Sequence, residues 1–118
     1  TVTGVQTCAL PIYAHVYFDP PAAAQARELC QRVAERFALR MGRVHKRPVG
    51  PHPRGSCQLA FAADCFGDVI PWLALNRGGL VVFVHPDTGD ALKDHTEHAL
   101  WMGAMEALDL SLFEGAAA

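Results

Sequence analysis

The sequence predicts an α+β domain of the split-βαβ, or ferredoxin-like, kind, with the helices packed on one face of a sheet. Three observations point there. Strand-like alternation begins just after residue 12, two later stretches carry apolar stripes at helical spacing, and the elements read β-α-β-β-α-β in order. A length of 118 residues suits one domain, and an apolar content of 51% supplies a core without disulfides. The second face of such a sheet needs a cover, and a second subunit is the expected one.

Residues 1–12, Thr1 to Ile12, show neither period and are interrupted by Pro11; they read as an extraneous fragment ahead of a domain spanning 13–113. From Tyr13 onward Ala14, Val16 and Phe18 alternate with His15 and Tyr17, the pattern of a half-buried strand. Asp19 offers an N-cap and Pro20 a first-turn proline. Ala26, Leu29, Cys30, Val33, Ala34 and Phe37 then form one stripe of a helix that Gly42 is expected to end. Arg43–Val49 reads as a short strand, Gly50–Gly55 as a loop, and Cys57–Ala62 as a strand with Leu59 and Phe61 on one face.

Asp64 can cap a second helix carrying Phe66, Val69, Ile70, Leu73 and Ala74, with Pro71 marking a kink or break and Gly78-Gly79 the stop. Leu80–Val84 is a continuous apolar strand closed by His85-Pro86, and Asp87–Asp90 a turn. Residues 91–103 have room for a short helix, Leu108–Phe113 reads as a last short strand, and 114–118 as a frayed tail.

Charge and cysteine usage narrow the function. Ten basic against twelve acidic residues leave a net charge of −2, which argues against a nucleic-acid partner. No apolar run approaches the roughly 20 residues of a membrane span, so no membrane partner is expected. The four cysteines show no Cys-x-x-Cys spacing, which disfavours a structural zinc knuckle. With no secretory signal pattern, reduced thiols in a cytoplasmic setting are the expectation.

The six histidines carry most of the chemistry. In the expected topology the first strand is central, the fourth runs antiparallel beside it, and the third runs parallel on its other side. His15 and His85 then become neighbours across the sheet, and the loop carrying His52 lies at the same end, with His45 just before it. If Ala14 and Val16 face the helices, His15, Tyr17, Gln58, Phe83 and His85 face the other way. Taken singly, each of these histidines reads as a solvated or capped residue. Together they suggest a metal site, because imidazole is the commonest protein metal ligand.

His95 and His98 sit three apart, as on one helix face, and read as ligands, as groups orienting a ligand, or as solvated residues. Asp94 beside them orients an imidazole or caps a helix. Arg40, Arg43, Lys46, Arg47 and Arg54 fall within fifteen residues that hold no acid. Either they form a solvated hairpin face, or Arg47 or Arg54 receives a substrate carboxylate. Trp72 and Trp101 read as core or interface anchors.

Several segments in order, Tyr13-Ala14-His15-Val16-Tyr17-Phe18-Asp19, Arg47-Pro48-Val49-Gly50-Pro51-His52-Pro53, Leu75-Asn76-Arg77-Gly78-Gly79-Leu80, Val84-His85-Pro86 and Asp94-His95-Thr96, resemble the DOPA 4,5-dioxygenase family from about residue 13 to 113. The resemblance implies a ferredoxin-like subunit pairing into a homodimer, a dimeric αβ barrel. It also implies extradiol cleavage of a small-molecule catechol such as L-DOPA with Fe(II) and O2. On that reading His15, His52 and His85 hold the iron, with Asp94 or Glu97 as a substitute for one of them. His45 and His98 serve as base and acid. Tyr17 lines the pocket or bonds the bound oxygen, and Arg47 or Arg54, with Gln58, receives the substrate. The family usually has His-x-His in the first strand, and here the earlier place is Tyr13. Two other readings stay open: a non-catalytic dimeric small-molecule or metal-binding module of the same fold, and a zinc or copper site with hydrolytic or storage duty.

Overall fold

The computed structural model describes residues 10–117. The chain forms β1 (Pro11–Phe18), α1 (Ala23–Phe37), β2 (Arg40–His45), β3 (Gly55–Ala62), α2 (Phe66–Asn76), β4 (Val81–Pro86), α3 (Ala91–Asp94), β5 (Leu100–Met102) and α4 (Ser111–Ala117). The five strands make one sheet in the order β2-β3-β1-β4-β5, with every neighbouring pair antiparallel. The expected β-α-β-β-α-β order is present, but β3 runs antiparallel to β1 and not parallel to it. The helical crossover brings β2 in parallel to β1, and the β2–β3 hairpin then turns β3 antiparallel to both.

Alternation sorts the strands as their residues dictate. Ala14, Val16, Leu59, Val82 and Val84 meet Leu29, Val33, Val69 and Leu73 of the two helices in the main core. Tyr17, Val81 and Phe83 form a second, smaller cluster on the opposite face with Ala99, Trp101 and Leu108. That second face is partly covered by the chain itself, where a second subunit was expected. Trp101 of β5 stacks on Phe83 with ring centroids 4.5 Å apart. Glu106 clasps Arg54 through two bonds of 2.6 and 3.0 Å, and the Asp109 N–H donates to the Pro51 carbonyl at 2.9 Å.

Several boundaries differ from the sequence reading. β1 starts at Pro11, where the foreign segment was expected to run to residue 12: Ile12 pairs with Phe61 and Pro86 and is buried. Strand pairing uses backbone groups, so a segment without alternation still joins the sheet. The remainder of that segment, residues 1–9, lies outside the described residues. Helix α1 ends at Ala38, which takes the left-handed conformation at φ 54°, four residues before the expected Gly42 stop. Helix α2 runs through Pro71 to Asn76 with no break. Proline removes the donor for the Gly67 carbonyl, and Gly67 is exposed, so water can take that acceptor. Residues 108–113 do not form a strand: α4 occupies 111–117, and the last strand is instead β5 at 100–102.

Strand β2 spans 40–45, where the sequence reads as a strand over 43–49. A bulge is the reason: Met41 pairs with Leu59 but Val44 with Cys57, so Gly42 and Arg43 together oppose Gln58. The extra residue breaks the period, and it puts Arg40 and His45 on the same face although they lie an odd number of positions apart.

Gly55 opens β3 where the backbone passes closest to a core ring. A Cβ there would lie 2.8 Å from the Phe18 ring and 3.1 Å from the His45 carbonyl. Phe18 is almost fully buried and cannot retreat. Gly55→Ala is expected to destabilise the fold by about 1–3 kcal/mol, read as a lower urea midpoint; an unchanged midpoint would show that the ring has room.

Candidate active site

The antiparallel register builds the site row by row on the face away from the helices. Across the sheet, Arg40, Ala60, Tyr13 and His85 form one row. Gln58, His15, Phe83 and Trp101 form the next, and His45, Ser56, Tyr17 and Val81 the third. His15 and His85 are therefore diagonal neighbours, as expected. Their Nε2 atoms stand 3.0 Å apart and their rings are nearly parallel, at 11°.

His52 arrives by a different route from the one expected. The β2–β3 loop leaves from the Phe18 end of β1, opposite to the His85 end. It folds back over the face and lays His52 on His15 with centroids 4.1 Å apart. The Tyr17 hydroxyl and His52 Nδ1 share a hydrogen bond of 2.7 Å that holds the ring there.

A further imidazole completes the group. His95 packs on His85 at 4.2 Å and is covered on its other side by Phe113 at 4.4 Å. Its Nδ1–H donates to the Ala91 carbonyl at 2.7 Å, as the His85 Nδ1–H does to the Pro86 carbonyl at 2.8 Å. In the neutral form of both rings Nε2 is therefore the unprotonated nitrogen, and that of His85 accepts from the His15 Nε2–H. Tyr13, His15, His52, Gln58, His85, His95 and Phe113 line a cleft of about 340 Å³.

The other expected site residues lie elsewhere. His45 is half-buried on the Tyr17 row, outside the cleft lining but close enough to act on His52. His98 donates from Nδ1 to Asp94 at 2.9 Å and is not among the lining residues. Asp94 also accepts from the Thr88 N–H and hydroxyl, both at 2.7 Å. Burial would raise its carboxyl, but those three bonds outweigh it and hold Asp94 ionised below the usual range. It fastens the turn that presents His95 and does not itself face the cleft. Arg47 is exposed on the loop. Arg54 is bound by Glu106 and by Asp19 at 3.3 Å, in a separate cleft of about 390 Å³ on the far side of Tyr17. His95 was legible only as one of a pair at helical spacing. Helix α3 is too short to settle which of the two turns inward.

Burial sets the electrostatics. It lowers the basicity of His15, helped by His52, His85 and His95, and that of His85, where His95 helps against the opposing pull of the Pro86 carbonyl, Asp94 and Asp87. His52 is pushed down to about 4 by burial and by the charges His85, His95 and His45 would carry. Burial and Glu106 push the Tyr17 phenol up against the pull of Arg54, so it stays protonated. At neutral pH His15, His52 and His85 therefore offer uncharged imidazoles to a cation or a proton.

A metal can be tested against these donors. Two nitrogens about 2.1 Å from one ion and at right angles to each other stand about 3.0 Å apart, which is the His15–His85 spacing. Among the described residues, however, no group of three His, Cys, Asp or Glu side chains is arranged to hold an ion. The donor set fits as a pair.

Comparison with known proteins places this architecture. Residues 13–112 match the Dopa 4,5-dioxygenase family, and the chain belongs to that family. It is 33% identical over 106 residues to the DOPA 4,5-dioxygenase of Amanita muscaria, covering 82% of this chain and 46% of that one. It is 42% identical over 110 residues to an uncharacterized 21.2 kDa protein of Botryotinia fuckeliana, covering 83% of this chain and 60% of that one. The chain thus spans about half the length of the curated relatives it matches. A crystal structure from Nostoc punctiforme, described as a "putative dioxygenase", superposes with a TM-score of 0.86 at 42% identity, covering 93% of this chain and 95% of that one. Among the described residues no helix is long and apolar enough to cross a membrane.

The lowered imidazoles make the fold acid-sensitive in a defined window. Unfolded histidines titrate near 6.5, so between there and about 4 the unfolded chain holds protons that His52 in the fold does not. Stability is therefore present above about pH 6.5 and lost as pH falls toward 4. Urea midpoints taken across this range should fall with pH, and less steeply for His52→Gln. A flat profile would show that these rings are not held neutral.

Proposed function

We propose that this chain is a ring-opening dioxygenase that cleaves a catechol with O2 at the imidazole cleft, using Fe(II). The observation that carries the reading is the His15–His85 pair, two Nε2 atoms 3.0 Å apart on the floor of a cleft walled by aromatic rings, in a member of the Dopa 4,5-dioxygenase family. His15 and His85 would hold the ion, with His52 beside them and fixed by its Nδ1 bond to the Tyr17 hydroxyl. Fe(II), when bound, would supply the electron path between the diol and O2 and leave positions open for both.

The remaining work falls to the chain's own residues. Tyr13, His95 and Phe113 form the walls against which a flat ring can stack. The Gln58 amide, opposite His15 in the sheet, can donate to a diol oxygen. His95, whose Nδ1–H is held by the Ala91 carbonyl, presents Nε2 to the cleft to take the proton a catechol gives up on binding. Phe83, fully buried, packs behind His15 and His85, and Trp101 stacks on it. In the overall reaction one ring carbon–carbon bond next to the diol breaks and both oxygen atoms enter the product, so no outside reductant is needed.

The strand order β2-β3-β1-β4 with two helices on one face supports reading the subunit as ferredoxin-like. The homodimer and the cytoplasmic setting belong to the same proposal; buried free thiols at Cys30 and Cys57 suit the latter. A second reading, a catechol-binding module without turnover, is favoured by the pairwise fit of the donors and by Tyr13.

Protein purified without oxygen, then given Fe(II), a catechol and air, should consume O2 and form a yellow ring-opened product, and Zn(II) should give neither. His85→Ala should lower both by more than about 100-fold, since losing even a group that only orients a ligand costs 10–100-fold. Tight catechol binding with no oxygen uptake at full iron loading would favour the module.

A further inference from the structure

The sequence offers Arg47 or Arg54 to a substrate carboxylate, and the fold takes both away from the cleft. A different arginine is left in place. Arg40 opens β2 and shares a row with Ala60, Tyr13 and His85. Tyr13 and Gln58, which wall the imidazole cleft, also line a second hollow of about 160 Å³ together with Arg40, Gly42 and Ala60. The two hollows meet at those shared side chains.

The floor between them is low because of which residues the strands present there. Ala60 carries one methyl group between Arg40 and Tyr13, and Gly42 carries none. A Cβ on Gly42 would reach 3.4 Å from the Gln58 Cβ. The bulge at Gly42 and Arg43 re-aims the strand so that Arg40 and His45 share this face. Arg40 is exposed and forms no ion pair with any acid among the described residues. Its strand lies two strand spacings, about 10 Å, from β1. That distance leaves room for a ring at the histidines and a short tail running toward the guanidinium.

We propose that Arg40 is the anion subsite of this cleft: it receives the carboxylate of a catechol whose short side chain crosses the Ala60–Gly42 floor. This rests on the catechol reading above; what it adds is the residue that takes the carboxylate, for a catechol with an acid on a two- or three-carbon tail. The guanidinium fork suits a carboxylate and leaves the ring free to stack beside Tyr13.

The test is calorimetric binding to the whole chain, loaded with Fe(II) and kept free of oxygen. The probes are 3-(3,4-dihydroxyphenyl)propionate and its neutral amide. Wild type should bind the acid about ten-fold more tightly than the amide, the weight of a charge-assisted hydrogen bond partly open to water. Arg40→Ala should erase that preference while leaving amide affinity unchanged, and Arg40→Lys should restore part of it. Arg54→Ala, read by the acid-to-amide ratio, should change nothing. An unchanged ratio in Arg40→Ala, or equal losses for both probes, overturns the assignment. Oxygen uptake with the amide separates the two claims. Uptake with an Arg40-independent ratio sinks only the subsite, whereas Arg40-dependent binding without uptake sinks only the ring-opening reading. Failure of wild type to bind either probe sinks both.

Discussion

The pairing of β1 between β3 and β4 is the constraint on which the rest depends. One register places Tyr13 opposite His85 and His15 between Gln58 and Phe83. Because side chains alternate, a slip of one residue would send His15 into the helical core and bring Val16 out to the cleft. The apolar set Ala14, Val16 and Phe18, packed against α1 and α2, forbids that slip. The same burial that fixes the core thus fixes which imidazoles meet, and burial, helped by their proximity to one another, keeps His15, His52 and His85 uncharged.

A second set of contacts shapes the cleft from above. The β2–β3 loop and the segment after β5 are tied together by Arg54–Glu106 and by Asp109 to Pro51. Tyr17 sits beneath both, bonded to His52 and facing the Arg54 guanidinium, whose centre lies 6.0 Å from its ring. This arrangement separates two roles that the sequence left together. Arg54 serves the architecture of the loop, and the histidines serve the cleft. Arginines clustered within one hairpin therefore have different fates, decided by which of them meets a carboxylate.

How much was legible follows from the range of the forces involved. Alternation in 13–18 and the stripe in 26–37 revealed β1 and α1, because one-sided burial leaves a period in the sequence. The meeting of His15 with His85 followed from the same alternation once two strands were adjacent. The place of His52 was anticipated on an incorrect strand direction; the loop reaches the same point by folding back, something no local pattern encodes. Arg40 was hidden by the bulge, which breaks the period where it matters. His95 was not separable from His98, since the choice between them rests on Asp94 holding one ring and Phe113 covering the other. The strand β5 is short and flanked by no turn signature before it, so its edge pairing with β4 left little trace.

The most direct test of the account is anomalous diffraction at the iron edge from crystals of the chain soaked anaerobically with Fe(II). The account predicts a single strong peak between the rings of His15 and His85, at the inner end of the cleft. A peak at another place, with those two rings still bonded to each other, would contradict it.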